Sequence, residues 1–188
     1  MGTSYIWSLI DLFMALIKAL NGKKPIFGTN CFLAENATVI GSVVMGHQCS
    51  VWYQAVIRGD VHDIIIGNKV NIQDGAVIHC TYLKSPTIIG NEVSIGHKAI
   101  VHGCTIEDQV LVGMGSIIMD DCVIGTGSII AAGAVVTKGT IVPPGSVYAG
   151  VPAKFIKKVD QKLSQGEVQR IANNYITYAQ WYKPWDQY

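Results

Sequence analysis

The stretch Ile106–Tyr148 reads IEDQVLVGMGSIIMDDCVIGTGSIIAAGAVVTKGTIVPPGSVY. In this stretch an apolar residue recurs every six positions, through Ile106, Val112, Ile118, Ile124, Ile130, Val136, Val142 and Tyr148. Neither the 3.6-residue period of a helix nor the two-residue alternation of a strand produces this spacing. The spacing predicts an all-β solenoid in which each repeat is a short strand and a turn, and three repeats close one triangular coil.

The same register continues upstream in three shorter blocks. They are Met45, Val51, Ile57; then Ile66, Ile72, Ile78; then Ile89, Ile95, Val101. We expect these positions to point inward and to stack on their equivalents one coil away, with Gly or Asn at corners that need unusual backbone dihedrals. The register breaks at residues 58–65 and 79–88, which predicts two loops that leave the prism. A further break of one residue lies near 102–105.

Three regions follow from this pattern. Residues 1–22 are strongly apolar and predict a short N-terminal helix or extension. Either this segment packs on the body, or residues 1–13 are a non-native addition ahead of a natural start at Met14. Residues 23–152 are predicted to be the parallel β-helix. Residues 153–188 are predicted to be a C-terminal α-helix and tail, opened by a Ser164–Glu167 capping box.

The composition excludes several classes of function. The net charge is +1 and only 14% of the residues are charged, with no basic stripe, so we expect no nucleic-acid partner. Asp11 and Lys18 interrupt the N-terminal apolar segment, so we expect no membrane span. The five cysteines are scattered and form no C-x-x-C pair, which indicates reduced thiols in the cytoplasm. Cys80 and Cys104 lie near histidines in the sequence and are conceivable metal ligands.

The phase of the repeat places several polar side chains together. Ile57, Ile78 and Val101 occupy the same face of successive coils, so the residues after them stack roughly 4.8 Å apart: Arg58, His79 and His102. On the preceding face Asp74 stacks on His97, beside Gln73. His79 and His102 can therefore approach one ion, whereas His97 lies around a corner of the prism.

A threefold assembly would resolve this separation. The third face of one chain would then meet the second face of its neighbour, and a metal would lie between them. Three imidazoles and a water are the open coordination of catalytic zinc, in which the pKa of the bound water falls to about 7. His47 and His62 are expected to be ordinary surface residues.

Four runs of sequence carry a resemblance to a known family. They are Arg58-Gly-Asp60, Asn71-Ile-Gln-Asp-Gly75 with the following His79, Gly96-His97-Lys-Ala-Ile-Val-His102-Gly-Cys104, and Val147-Tyr148-Ala-Gly-Val-Pro-Ala153. Over about residues 14–182 the chain resembles the γ-class carbonic anhydrases, which are hexapeptide-repeat proteins. The resemblance implies a left-handed β-helix, a homotrimer, and a lyase that reversibly hydrates carbon dioxide to bicarbonate. It also implies Zn²⁺, with Fe²⁺ or Co²⁺ as alternatives, at the subunit interfaces.

The resemblance also implies roles for individual residues. His79, His97 and His102 correspond to the metal ligands, and Gln73 corresponds to the residue that orients the bound water or substrate. Arg58 and Asp74 correspond to an ion pair between subunits. The remaining catalytic candidates are Asp60 and Asn71, which would support the same corner, and Tyr148.

The chain departs from the family pattern where acidic residues are expected. Val61 and the loop of residues 80–86 carry no carboxylate, so the relay that moves protons to buffer is missing and we expect slow or buffer-limited turnover. His62 is the one nearby group able to replace that relay. The alternatives are a hexapeptide acyltransferase or thioesterase acting on acyl-CoA, and a metal-stabilised structural or assembly protein with little activity.

Overall fold

The computed structural model describes residues 14–182, which form a parallel β-solenoid followed by one helical region. The strands are β1 (Leu16–Lys18), β2 (Ile26–Phe27), β3 (Phe32–Leu33), β4 (Thr38–Met45), β5 (Ser50–Val51), β6 (Val56–Ile66), β7 (Asn71–Ile72), β8 (Val77–His79), β9 (Thr87–Ile89), β10 (Ser94–Ile95), β11 (Ile100–His102), β12 (Thr105–Ile106), β13 (Leu111–Val112), β14 (Ile117–Ile118), β15 (Val123–Ile124), β16 (Ile129–Ile130), β17 (Val135–Val136), β18 (Ile141–Val142), β19 (Ser146–Ala149) and β20 (Lys154–Lys158). The helical region comprises α1 (Gln161–Leu163), a π-helical segment (Ser164–Gln169) and α2 (Arg170–Trp181).

The strands stack into three faces. Face one holds β2, β9, β12, β15 and β18, face two holds β3, β5, β7, β10, β13, β16, β19 and β20, and face three holds β1, β8, β11, β14 and β17. The long strands β4 and β6 bend across the corner between faces three and one and pair on both of them. This corner carries the Arg58-Gly59-Asp60 motif.

The predicted six-residue register is confirmed by the strand pairing. On face three Ile57 pairs with Ile78, and Ile78 pairs with Val101. On face two Ile72 pairs with Ile95. These five side chains are fully buried, with 0% of their surface exposed. Each such burial contributes about 1.5–3 kcal/mol, so the stack of inward side chains provides the main stabilisation.

The prediction of a loop at residues 58–65 is wrong. Residues 58–65 do not leave the prism, because β6 runs without a break from Val56 to Ile66. Gly41 pairs with Gly59 and Val43 with Ile64, so β6 takes up its extra residues as an irregularity inside the strand. A Cβ on Gly59 would lie 2.4 Å from the carbonyl oxygen of Ser42, so only glycine permits this close approach of the two backbones.

The second predicted loop is confirmed. Residues 80–86 leave the prism between β8 and β9 and are closed by an antiparallel bridge between Thr81 and Ser85. The exposed tip carries Tyr82 and Leu83. The end of the loop returns the chain to face one at β9, so the inward register resumes at Ile89.

The described part of the N-terminal segment is not helical. Leu16–Lys18 is strand β1, which pairs in parallel with Thr38–Ile40 of β4, and residues 1–13 lie outside the described residues. The first coil leaves an edge of β4 without a partner, and β1 satisfies its backbone groups, as in the 2.8 Å hydrogen bond from the Leu16 N–H to the Ala37 carbonyl. Tertiary pairing therefore overrides the apolar pattern that predicted a helix.

The C-terminal helix begins earlier than the capping box predicted. Strand β20 first pairs antiparallel with β19, and Asp160 then caps α1 by accepting the Leu163 N–H at 2.8 Å. The predicted box lies inside the helical region, where Glu167 instead contacts Arg170 at 3.2 Å. The helix packs on face two, where the rings of Tyr175 and Trp52 lie 5.2 Å apart.

Candidate metal centre

His79 and His102 form the centre of the candidate site. They are the last residues of β8 and β11, they are paired in register, and they project outward from the corner between faces three and one. The Nδ1 atom of His79 lies 3.1 Å from the Nε2 atom of His102. The stacking predicted from the phase of the repeat is therefore confirmed.

Each of these rings is hydrogen-bonded to a carboxylate on the side away from the other ring. Asp60 Oδ1 lies 3.0 Å from His79 Nε2, and Asp120 Oδ1 lies 2.6 Å from His102 Nδ1. Arg58 donates a hydrogen bond to the other oxygen of Asp60, and the Thr81 hydroxyl donates to Asp120 Oδ2 at 2.9 Å. Because a carboxylate only accepts hydrogen bonds, it places the ring N–H on its own side and leaves the opposite nitrogen with a lone pair.

The electrostatics keep the carboxylates charged and one ring neutral. Burial alone would raise the pKa of Asp60, but hydrogen bonds from His79 and Arg58 outweigh it and lower this pKa below its usual value. The pKa of Asp120 is lowered in the same way, because hydrogen bonds from His102 and Thr81 outweigh burial. Burial lowers the pKa of His79, which favours the neutral imidazole that a metal requires.

This geometry fits a divalent metal ion. Two neutral rings in this orientation point lone pairs at one another, and a cation between them removes the repulsion. Imidazole nitrogens bind zinc at about 2.0–2.1 Å, so two ligands of one tetrahedral ion lie about 3.3–3.4 Å apart. The observed separation of 3.1 Å between the His79 and His102 nitrogens is close to that value.

The third predicted ligand occupies a different corner. His97 follows β10 between faces two and three, where its Nδ1 lies 2.9 Å from Asp74 Oδ2. Its Nε2 lies 3.5 Å from the hydroxyl of Tyr175 on α2. Among the described residues, no group of three or more His, Cys, Asp or Glu side chains is placed to hold a metal ion. One chain therefore brings together two of the three histidines.

A series of hydrogen bonds between buried polar side chains supports the corner that carries His97. The His97 N–H donates to Gln73 Oε1 at 3.2 Å, Gln73 donates to Asn71 at 2.9 Å, and Asn71 donates to Ser94 at 2.7 Å. Gln73 and Asn71 are almost completely buried, so these hydrogen bonds satisfy amides that would otherwise destabilise the fold. The structure thus brings Gln73 and Asp74 to His97, as predicted from the register, and Asn71 supports Gln73.

The predicted Arg58–Asp74 pair is not formed within one chain. Arg58 contacts Asp60, while Asp74 contacts His97 at the other corner. Arg58 lies one coil above His79, because Ile57 pairs with Ile78. Asp74 lies one coil above His97, because Ile72 pairs with Ile95. A pair between two chains remains a prediction.

Tyr148 does not belong with these residues. It lies on β19 and pairs with Ile130, and its ring packs against Phe155 at a centroid distance of 6.2 Å. Three strand pairings separate its position on face two from that of Ile95, next to His97. Its half-buried ring continues the inward register at the end of the solenoid, which explains its place in the repeat.

The two cysteines considered as ligands are part of the core. Cys80 and Cys104 are buried among the inward apolar side chains. The Cys80 thiol donates to the His62 carbonyl at 3.3 Å. Because burial raises the pKa of both thiols, neither is disposed to bind a metal as a thiolate.

Three residues were missed by the sequence analysis: Asp120, Thr81 and Tyr175. The register gives only an approximate signal for Asp120, because Val101 pairs with Ile118, which places Met119 below His102 and Asp120 one residue further on. No local signal existed for Tyr175, which reaches His97 from 78 positions further along the chain. Thr81 reaches Asp120 only because its loop turns back on the prism.

His47 lies at an outer corner, where its Nδ1 accepts the Thr29 N–H at 2.9 Å, as expected for a surface residue. Within residues 14–182, the helices are too short and too polar to cross a bilayer.

Comparison with known proteins places this arrangement in a family. The family model for the bacterial transferase hexapeptide (six repeats) matches residues 103–138. A "probable carbonic anhydrase" of Methanocaldococcus jannaschii is 49% identical over 80% of this chain and 91% of its own length. The mitochondrial gamma carbonic anhydrase 2 of Arabidopsis thaliana is 40% identical over 84% of this chain and 58% of its own length.

The solved structures agree on the fold. A hexapeptide transferase family protein from Anaplasma phagocytophilum superposes with a TM-score of 0.85 at 41% identity, over 89% of this chain and 98% of that one. The sequence identity to the carbonic anhydrases extends over most of the chain. The chain belongs to the γ-class carbonic anhydrase family of hexapeptide-repeat proteins.

Proposed function

We propose that this chain is a metal-dependent carbonic anhydrase, which reversibly hydrates carbon dioxide to bicarbonate at sites shared between the subunits of a homotrimer. The observation that carries the proposal is the 3.1 Å approach of the His79 and His102 nitrogens, each ring held by its own carboxylate. Two ligands on one corner and one on another are the set that a threefold assembly would unite. We propose zinc as the ion, with iron or cobalt as alternatives, and the cytoplasm as the compartment.

When bound, such an ion lowers the pKa of a coordinated water towards 7 and so supplies the nucleophile for carbon dioxide. The chain's own residues prepare the site. Asp60, Asp74 and Asp120 orient the three imidazoles so that the nitrogen opposite each carboxylate carries the lone pair that a metal would bind. The buried Gln73 side chain lies beside His97 and offers an amide that can orient water or bicarbonate.

The proton released in the reaction must then leave the site. Val61 occupies the position after Asp60, and the loop of residues 80–86 contains no carboxylate. We therefore propose slow turnover that depends on the buffer. Metal analysis of the purified protein, followed by stopped-flow CO2 hydration of the zinc- and iron-loaded forms, tests the proposal. A correctly loaded trimer without hydration activity in any buffer would refute it.

A groove on face two favours one alternative. A cavity of about 390 Å³ runs between α2 and face two and reaches Gln73 and His97 at one end. Its walls are mainly apolar, including Leu111, Ile129 and Ile171, which suits an organic ligand larger than carbon dioxide. Acyl transfer or thioester hydrolysis is therefore the second candidate, and a screen with acyl thioesters distinguishes it from CO2 hydration.

A further inference from the structure

Strand β6 carries several polar side chains. Arg58, Asp60 and His62 lie in this strand at the corner between faces three and one, and Asp60 and His62 both line one pocket. At about 3.3 Å per residue, the Cα atoms of Asp60 and His62 lie about 6.6 Å apart. Because β6 continues through this segment, where a loop was predicted, Asp60 and His62 stay close to one another at this corner.

Asp60 and His62 line the same pocket. It has a volume of about 310 Å³, and its walls include Asp60, His62, Ser42 and the ion pair of Lys23 with Asp63. Asp60 is also the carboxylate that holds His79. The pocket is large enough for several water molecules and has polar groups to hold them, so water can connect the metal corner to His62.

The charged neighbours of His62 are largely neutralised by one another. Lys23 Nζ lies 2.8 Å from Asp63 Oδ1, which also accepts the Ser42 hydroxyl at 2.6 Å. Asp60 is engaged by Arg58 and His79. Among the residues that line this pocket, His62 is the one imidazole, and it is only half-buried.

We propose that His62 is the proton relay of this enzyme, an inference that rests on the proposed CO2 hydration. The ring stands between the pocket water and the bulk solvent, where other family members are expected to use acidic residues. It acts through water, so it supports the proton-transfer step and leaves the conversion of CO2 unchanged.

The His62 ring would take up one proton and release one proton in each turnover. CO2 and water yield bicarbonate and one proton. His62 Nδ1 accepts the Asp63 N–H at 2.8 Å, so the neutral ring carries its own proton on Nε2. A proton arriving through pocket water binds Nδ1 when that contact opens, and the Nε2 proton passes to buffer. Return of the ring to its original tautomer completes the cycle without net change.

The test compares the His62→Ala variant with the His47→Ala variant in the metal-loaded, full-length protein. His47 is also a histidine near the surface, but it lies outside the pocket. Exchange of ¹⁸O between CO2 and water reports CO2 interconversion and proton transfer separately. In weak buffer, H62A should lower the proton-transfer rate about tenfold or more, with CO2 interconversion unchanged, and imidazole should restore it. H47A should resemble the wild type.

Two further measurements do not depend on activity. In the cobalt-loaded protein the visible spectrum follows ionisation of the bound water, and its midpoint should be the same in H62A and wild type. A shifted midpoint would mean that His62 acts by positioning Asp60, which overturns the relay. Carbethoxylation with diethylpyrocarbonate should modify His62 in the native holoprotein, and an unmodified His62 would overturn the relay because no water reaches the ring.

The outcomes separate this inference from the proposed function. Normal CO2 interconversion in H62A with unchanged proton transfer refutes the relay alone. Wild-type holoprotein without CO2 interconversion in any buffer refutes the proposed function, and the relay with it.

Discussion

The Nδ1 atom of His79 lies 3.1 Å from the Nε2 atom of His102, on strands that are neighbours in one sheet but 23 residues apart in the chain. This interval equals three six-residue steps plus five extra residues, which the loop of residues 80–86 takes up, so that the second histidine lies directly below the first. Site formation at this corner is thus a property of the solenoid's register. The third histidine, His97, lies at another corner, and its approach to the same ion depends on the proposed trimer.

The Asp120→Asn variant should bind zinc about 10- to 100-fold more weakly than the wild type, because an orienting carboxylate is lost behind His102. Competition with a chromogenic chelator measures this affinity. Asp121→Asn is the matched control, since Asp121 is adjacent but contacts Ser85 and Lys138 instead of a histidine. Equal losses in the two variants would show that Asp120 does not support the metal.

Mixing two inactive variants should restore metal sites. His97→Ala and His102→Ala each lack one ligand, but a site shared between subunits can take His97 from one chain and His102 from the other. When subunits are unfolded and reassembled together at equal amounts, about one site in four should be intact in a cyclic trimer. Bound metal per chain measures the recovery. If the mixture forms trimers but recovers no bound metal, the metal sites do not lie between subunits.

Arg58 and Asp74 should be energetically coupled across the trimer interface. Arg58→Ala, Asp74→Ala and the double variant form a thermodynamic cycle, measured by sedimentation at low concentration. We expect a coupling energy above about 1 kcal/mol, the upper value for exposed pairs, because the assembly would cover both side chains. A coupling energy of zero, with Asp60→Ala reproducing the effect of Arg58→Ala, would mean that Arg58 acts only through Asp60 within its own chain.

The thiols of Cys80, Cys104 and Cys122 should resist alkylation in the native protein at pH 8. Burial raises the pKa of each thiol, so the reactive thiolate is scarce at that pH in the folded state. Iodoacetamide labelling followed by mass spectrometry, with and without denaturant, measures the difference. Rapid native labelling of Cys104 would show that the core around it opens readily.

Removal of residues 1–13 should leave trimerisation and metal binding unchanged. The candidate ligands begin at His79, and the described fold starts with β1 at Leu16. A chain that begins at Met14 can be compared with the full-length protein by sedimentation and metal analysis. A truncated chain that fails to fold would identify the segment as an integral part of the body, whereas altered assembly alone would identify a docking element.

Much of the candidate site could be predicted from the sequence because the repeat is strictly periodic. Once Ile57, Ile78 and Val101 are aligned, the stacking of His79 on His102 and of Asp74 beside His97 follows, and the structure has both. Continuing the same register for one more coil places Met119 at the position of His102, so the register alone does not identify the supporting carboxylate Asp120, which lies one residue further on. Within one chain Tyr148 lies three strand pairings from Ile95, so the register separates it from the histidines, and its catalytic role stays a prediction.

The sequence by itself determined which side chains point inward, which coil each occupies and which polar residues share a corner, because a six-residue period links position in the chain directly to position on the prism. Only the tertiary structure decided the path of β6, the strand at Leu16–Lys18 and the reach of Tyr175 to His97. These features depend on backbone partners and packing surfaces supplied by distant parts of the chain. A local pattern of apolar residues contains no information about which distant edge or face will be available.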